Sequence, residues 1–472
     1  MGRILDDNFD LAKLKALDSS RLPQLCREIR QELIEVVSRN GGHLASNLGS
    51  VEICVAADRV FDSPRDTIIF DVGHQSYTHK LLTGRYKDFR TLRKEGGLSG
   101  FPKPCESEHD PFVEGHSGPA LSEGLGVARA RQQTGKPGKT VVVIGDGSFT
   151  NGMVYEAINN LSSDLDDLIV ILNDNSMSIS KSVGAMARYL LMLRSGSGYA
   201  NFKSGVKNAL EKVPVFGKPI SKLLVDTKTS IRRTIYDGTL FEELGFRYIG
   251  PVDGNDIHEM CYILSNLKET KGPILLHAIT SKGKGYRPAE ENPGAYHGID
   301  GSVSAVDVTG DAEKETYSTV FGKTLSMLAD EDDRICAVTA AMKYGTGLNF
   351  FAHAHRNRFY DTGITEEHAA AFCAGLAKEG RKPVFAVYST FMQRCYDQMF
   401  QELVLNDADV LLAVDRAGFV GQDGETHNGL LDPAMLSSLG RIYTVSPASF
   451  SELKYWLERL IDRKGPKAIR YP

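Results

Sequence analysis

Two unbroken apolar runs constrain this chain most. They are Thr140-Val141-Val142-Val143-Ile144, ending in Gly145-Asp146-Gly147, and Leu168-Ile169-Val170-Ile171-Leu172, ending in Asn173-Asp174-Asn175-Ser176-Met177. A strand that is apolar on both sides is covered on both faces, as in a parallel sheet. Between the runs, Val154, Ala157, Ile158 and Leu161 recur at helical spacing behind a candidate cap, Thr150, so the unit reads strand, helix, strand. Strands joined in this way point in the same direction, which brings Asp146 and Asn175 to one edge of the sheet.

Oxygen ligands at neighbouring strand ends suit a small hard cation such as Mg2+, which takes one or two protein oxygens and completes its shell with phosphate and water. Gly145 and Gly147 let a diphosphate approach the backbone closely. Taken alone, Gly-Asp-Gly reads more simply as a strand-end turn; the Asn-Asp-Asn at the matching strand end reverses the balance towards a metal site. This pairing resembles that of the thiamine-diphosphate enzymes, and the resemblance implies a third ligand, the backbone carbonyl of Met177.

The 472 residues, 42% hydrophobic and 24% charged, suffice for two or three domains. A net charge of -5 argues against a general nucleic-acid binder. No apolar run approaches the roughly 18 residues of a membrane span, and the N-terminus lacks the apolar core of a signal peptide. A cytoplasmic location is the expectation. The seven cysteines are scattered and form no Cys-x-x-Cys pair, so reduced thiols are expected.

The organisation is that of an α/β protein with two domains, each a mostly parallel sheet flanked by helices. Residues 1–299 form the first block, which includes another buried-strand pattern at Pro273–Ile279. Residues 300–315 are small, polar and acidic, and read as a linker. Residues 316–472 alternate strands (335–338, 359–361, 384–388, 410–414, 442–445) with helices. Within the first block, residues 181–235 mix Lys, Arg, Gly and Ser with weak helical patterns. They read either as a mobile basic excursion or as a lid over an anionic substrate, and the sequence does not separate the two.

Glu366 lies where Phe359–Thr365 ends a strand and a helix runs on to Glu379, closed by Gly380. A partly desolvated carboxyl there can exchange a proton with an aminopyrimidine ring, because burial raises its pKa. A lone Glu in a first helical turn also serves simply as a partner of the helix dipole.

Motifs along the whole chain resemble the 1-deoxy-D-xylulose-5-phosphate synthase family of transketolase-like enzymes. They are Gly41–Gly49, Phe70–Tyr77, Gly96–Pro102, Gly285-Tyr286 through Tyr296-His297-Gly298, Tyr388–Arg394, Asp415–Gly418, Asp423–His427 and Ala468–Pro472. The resemblance implies that pyruvate is decarboxylated on thiamine diphosphate and that the two-carbon unit passes to glyceraldehyde 3-phosphate. It implies a diphosphate-binding first domain, a pyrimidine-binding second domain and a homodimer, and leaves open whether the active site forms within one chain or across two.

The resemblance also assigns roles. Glu366, His43, His74, His297 and His427 are the catalytic candidates, although each histidine alone also fits a structural role. His74, Gly115, His116, Ser117, Gly145, Asp146, Gly147, Asn175, Met177, Glu366, Phe391 and Arg394 are the cofactor contacts, with Asp146, Asn175 and Met177 on Mg2+. His43, His297, Tyr388, Arg416, Asp423, His427 and Arg470 face the substrates. The arginine forks suit a phosphate, although each also fits a surface ion pair.

Three departures stand out. The family continues into a transketolase C-terminal domain, which is expected to be absent here or supplied separately. Gly118-Pro119 replace small hydroxyl residues, which brings the loop closer to ordinary transketolases. Glu367 and Glu425 add negative charge beside Glu366 and His427, which is expected either to weaken binding of an anionic substrate or to shift the pKa of Glu366 upward. They keep two alternatives open, a transketolase-like enzyme with another ketose donor and an inactive or regulatory paralogue; a simple Mg2+-dependent phosphohydrolase is a third, since Asp146 could anchor other phosphates.

Overall fold

Strand formation follows the apolar runs. In the computed structural model, which describes residues 2–162, 164–175, 184–195, 240–299, 315–421 and 423–472, Thr140–Gly145 is β2 and Leu168–Asp174 is β3. The two pair in parallel with Gly145 opposite Asn173. The intervening helix spans Gly152–Asn159, and its cap is Asn151 instead of Thr150: the Asn151 side chain accepts from the Met153 N–H. An Asn carbonyl oxygen satisfies a first-turn amide that otherwise has no partner, whereas the Thr150 hydroxyl is spent on Gly147 O at 2.7 Å. Met177, residues 181–183 and 196–235 of the basic excursion, and 300–314 of the expected linker lie outside the described residues. Residues Gly184–Ser195 of the excursion form a helix.

The chain divides into two units, Met1–Val306 and Asp307–Pro472. The first holds a five-stranded, wholly parallel sheet in the order β1-β2-β3-β5-β4, with β1 at Thr67–Phe70, β4 at Arg247–Asp253 and β5 at Ile274–Ile279. Val142, Ile144, Val170 and Leu172 share one core with Ala120, Leu121 and Ala128 of the helix Pro119–Thr134, and with Val154, Ala157 and Ile158. Sequence patterning missed β1 and β4. The first is only four residues long. The second carries Gly250-Pro251 inside it, and its register shifts between Ile249 and Val252. Proline has no N–H to give a ladder, so this interruption is tolerated on an edge strand.

The second unit holds six parallel strands in the order β10-β11-β9-β8-β6-β7. They are β6 Ile335–Thr339, β7 Phe359–Asp361, β8 Lys382–Tyr388, β9 Leu411–Asp415, β10 Tyr443–Val445 and β11 Lys467–Arg470. Side chains alternate faces along each strand. Val384, Ala386, Leu411 and Ala413 pack with Phe321 and Leu325 of the helix Tyr317–Glu331 and with Leu453 and Leu457 of the helix Phe450–Leu460. Phe385, Val387, Leu412 and Val414 pack instead with Ala369, Ala370 and Cys373 of the helix Glu366–Lys378. Both faces are covered, as continuous apolar strands require. Among the described residues, no helix is long and apolar enough to cross a membrane.

Candidate functional site

In the first unit, the strand ends gather the anchor. The Asp146 N–H donates to Asn173 O at 3.1 Å, beside the pairing of Gly145 with Asn173. Asp146 is buried and Asn175 half-buried. The other two members of Asn-Asp-Asn are committed elsewhere. Asn173 Nδ2 donates to Gln75 Oε1 at 2.9 Å, and its Oδ1 accepts from Thr280 Oγ1 at 2.6 Å. Asp174 pairs with His277 at 2.9 Å, whose other ring nitrogen meets Tyr248 Oη at 2.8 Å. Lys282, just past β5, is buried within electrostatic reach of Asp146; burial pushes its pKa down to about 8, against the pull of that carboxylate. Sequence reading missed Lys282, whose only signal was its place one turn beyond a buried strand.

His43, His74 and His297 come together, with ring centroids 5.4 Å (His43–His74), 5.4 Å (His43–His297) and 5.5 Å (His74–His297) apart. Phe101 stands edge-on to His43 at 5.8 Å. Gly42 and Ile299 exchange both backbone hydrogen bonds, 2.9 and 3.0 Å, which draws the His297 segment to the His43 turn. Gly42 sits at φ 130°, and a Cβ there would lie 2.8 Å from Tyr77 Oη, so only glycine fits. Asn47, wholly buried, donates to His43 O at 2.7 Å and His74 O at 2.6 Å while accepting from Tyr77 N at 2.9 Å. Ser46 Oγ meets His297 Nδ1 at 3.3 Å. Burial, then the neighbouring Lys282, His43 and His74, hold His297 well below the usual imidazole range, so it is neutral near pH 7.

The loop holding Gly115, His116 and Ser117 is anchored by Asp71, whose carboxylate accepts from Gly118 N at 2.8 Å and Ala120 N at 3.3 Å. Gly118 is left-handed, φ 102°, and a Cβ on it would come within 2.6 Å of Asn151 Oδ1. Pro119 opens the following helix, where its missing N–H costs nothing. The departure at Gly118-Pro119 therefore meets a local backbone demand.

In the second unit, Asp361 accepts from Ala341 N at 2.9 Å and Gly363 N at 3.1 Å, shaping the turn that delivers Glu366 to the first position of its helix. Glu366 is 1% exposed. Its Oε2 faces Arg394 Nε at 3.1 Å, and the same guanidinium reaches Glu367 Oε1 at 3.7 Å. Burial pushes Glu366 up to about 7; Arg394 pulls it down and Glu367 adds to the rise. At neutral pH this carboxyl can hold or release a proton at little cost.

At the end of β8, Tyr388 and Phe391 stack at 5.9 Å, and His427 stands edge-on to Phe391 at 5.6 Å. The Arg416 guanidinium lies 4.0 Å over the Tyr388 ring, and Asp423 is among the charges acting on the Tyr388 hydroxyl, which burial raises. Asp415, opposite Tyr388 in the sheet, is pushed up to about 7 by burial, against the hydrogen bond from Ser318 and the charge of Arg416. Arg470 ends β11, beside β9, but its guanidinium is engaged: Nε donates to Asp432 Oδ2 at 2.6 Å and Nη2 meets Oδ1 at 3.5 Å. Glu366, Arg394, Tyr388, Phe391, Arg416 and His427 thus sit at the C-terminal ends of the strands, whereas Arg470 is held in an ion pair.

The residues fit the cofactor that their pattern implies. Asp146 and Asn175 bring a carboxylate and an amide oxygen, a donor set for Mg2+ with a diphosphate filling the remainder. Among the described residues, no three His, Cys, Asp or Glu side chains gather as a metal cluster, and a cation shared with a diphosphate needs none. A Cβ on Gly145 would meet nothing within 4 Å, so there is room at the strand end. Glu366 supplies a buried, readily protonated carboxyl.

Comparison with known proteins agrees. The family described as 1-deoxy-D-xylulose-5-phosphate synthase matches residues 5–280, and the transketolase pyrimidine binding domain matches residues 313–472. The 1-deoxy-D-xylulose-5-phosphate synthase of Pelotomaculum thermopropionicum is 47% identical over 100% of this chain and 74% of its own length. That of Alkaliphilus oremlandii is 48% identical, over 100% and 76%, and that of Desulfitobacterium hafniense 48%, over 97% and 73%. Among solved structures, Campylobacter jejuni transketolase aligns at 18% identity with a TM-score of 0.45, covering 96% of this chain and 78% of its own, a likeness on which nothing further rests. With both halves matched and near-half identity along its full length, the chain belongs to the 1-deoxy-D-xylulose-5-phosphate synthase family, thiamine-diphosphate-dependent transferases of the transketolase type.

Proposed function

We propose that this chain converts pyruvate and glyceraldehyde 3-phosphate to 1-deoxy-D-xylulose 5-phosphate and CO2, using thiamine diphosphate and Mg2+, as a cytoplasmic homodimer. Residues 1–299 serve the diphosphate end of the cofactor and 316–472 its aminopyrimidine end. The observation that carries the reading is Glu366, a buried carboxyl titrating near neutrality at the start of a helix. When bound, thiamine diphosphate supplies the nucleophilic carbon and the electron sink.

The chain's own groups position and move protons. Asp146 and Asn175 offer oxygens to Mg2+, with the Met177 carbonyl as the third ligand. Gly115, His116, Ser117, Gly145 and Gly147 offer backbone and short side chains to the diphosphate, and Lys282 adds positive charge beside Asp146 when protonated. Glu366 takes up and returns a proton at its carboxyl oxygen, while Arg394 restrains its pKa. Phe391 offers an aromatic face. His43, His74 and His297 present imidazoles to the substrate, and neutral His297 can accept a proton. Tyr388, Asp423 and His427 complete that side, and Arg416 offers a fork to the acceptor's phosphate; Arg470 joins it once Asp432 releases it.

The test supplies purified protein with thiamine diphosphate, Mg2+, pyruvate and glyceraldehyde 3-phosphate. Stoichiometric CO2 and the five-carbon ketose phosphate are expected, and sedimentation should report a dimer. A folded, cofactor-loaded sample that yields neither product refutes the proposal, and cleavage of ketose phosphates without pyruvate consumption would make it a transketolase.

A further inference from the structure

Two acidic side chains bracket the Asp71-anchored loop, and the chemistry above uses neither. Glu114 precedes Gly115; Glu123 lies in the second turn of the helix Pro119–Thr134. Glu114 is 3% exposed. Its N–H donates to Pro102 O at 3.3 Å, and its Cβ lies where a Cβ on Gly73, next to His74, would approach to 2.8 Å. The two carboxyl groups lie within hydrogen-bonding reach of each other, and each acts on the other's protonation. Glu114 Oε1 and Glu123 Oε2 are closed to solvent, and among the described residues no N–H or O–H donor of a third residue reaches them. Two ionised carboxylates have no hydrogen to share, so such a bond exists only when one of them holds a proton.

The charges around the pair give the proton no competitor. Those acting on Glu114 are Glu123 and Asp71, both negative, whereas Glu123 is raised by burial and lowered by the neighbouring Glu114 carboxyl. Asp71 is itself fixed to the loop by Gly118 N and Ala120 N.

We propose that Glu114 and Glu123 share one proton, and that this proton straps the Gly115–Gly118 loop to the helix that follows it, in the shape that receives the cofactor's diphosphate. They are positioning residues, and the cofactor half of this inference rests on the function proposed above. With the proton present, an O–H···O⁻ bond spans the base of the loop. Without it, three carboxylates crowd one side of the loop, repel one another and oppose an incoming anion.

Burial, then the neighbouring carboxylates, push Glu114 up to about 10, and burial also raises Glu123. A carboxyl whose pKa is higher in the folded chain keeps a proton that the unfolded chain has lost, so stability falls as pH rises towards that value. Affinity for an anion at the strapped loop falls in the same direction.

Two measurements on the full chain test this. The first is thermal unfolding without cofactor between about pH 7 and pH 10. The wild type is expected to lose stability steadily, whereas Glu114→Gln, whose amide donates to Glu123 with no proton to lose, should show a much shallower decline; Glu123→Gln provides the same test if Glu114→Gln fails to fold. Parallel declines for the wild type and both variants would overturn the shared proton. The second is calorimetric titration with thiamine diphosphate and Mg2+: wild-type affinity should weaken about tenfold for each pH unit beyond the pair's titration, and that of the Gln variants by less than about twofold. A wild-type affinity flat with pH, alongside altered unfolding profiles, would overturn the positioning role alone. No binding by any sample would refute the proposed function, while the unfolding profiles still decide the shared proton.

Discussion

The two units prepare their polar groups differently. In the first, site residues are fixed largely by uncharged amides and hydroxyls: Asn47 pins the backbone of two histidines, and Gln75 and Thr280 hold Asn173. In the second, opposite charges and rings meet: Glu366 with Arg394, Arg416 over Tyr388, Arg470 with Asp432. Neutral hydrogen bonds set geometry with little effect on protonation, whereas a buried ion pair sets a pKa. The first arrangement suits holding a cation and a diphosphate; the second suits exchanging protons.

The largest expected effect breaks the second arrangement. Glu366→Gln should lower the rate of CO2 release by about a thousandfold, within the range of a lost proton-transfer group. It should also stabilise the cofactor-free protein above pH 7: the folded carboxyl titrates near 7, above its ordinary value, so the wild type alone loses stability as pH rises through that window. In the first unit, Asp146→Ala should raise the Mg2+ concentration needed for half-maximal cofactor binding by about a hundredfold, a loss at least as large as that from disturbing a ligand's supporting partner; calorimetry reads it. Asn47→Ala should cost about 2 kcal/mol in chemical denaturation, because the His43 and His74 carbonyls lose a buried donor. The pH profile should stay in place, since no charge changes. The smallest effects sharpen the contrast: Arg394→Met should move the Glu366-dependent limb of the pH profile up by about one unit, and Glu367→Gln should move it down. If the limb does not move in either variant, charge is not what tunes this carboxyl.

Local chemistry made part of this legible. The β2–helix–β3 unit, the five strands expected in the second unit and the Glu366 helix all announce themselves through continuous apolar runs, turn glycines and helical spacing. Features that depend on remote partners were hidden. β4 is broken by Gly250-Pro251 and pairs only at the sheet edge. Asn47 reads as an ordinary polar residue until Tyr77 and His74 fold onto it, and nothing beside Arg470 foretells Asp432. Glu114 and Glu123 are nine positions apart in sequence, a spacing that matches no helical or strand period, so their pairing depends on the path of the loop between them. The segment 181–235, read as a mobile excursion or a lid, lies outside the described residues apart from the helix Gly184–Ser195, as do residues 300–314 of the linker and Met177.

The bridge between Gly42 and Ile299 carries a consequence for biosynthesis. His43 and His74 lie early in the first unit, whereas His297 and its bridging partner come almost at that unit's end. As a chain emerges from the ribosome N-terminus first, the three-histidine cluster has no means of closing until residue 299 is free of the exit tunnel. A nascent chain arrested before that point can form the central β2–β3 pair and present Asp146, yet it lacks the third imidazole. The strand pair that presents Asp146 is therefore encoded to assemble earlier than the imidazole cluster.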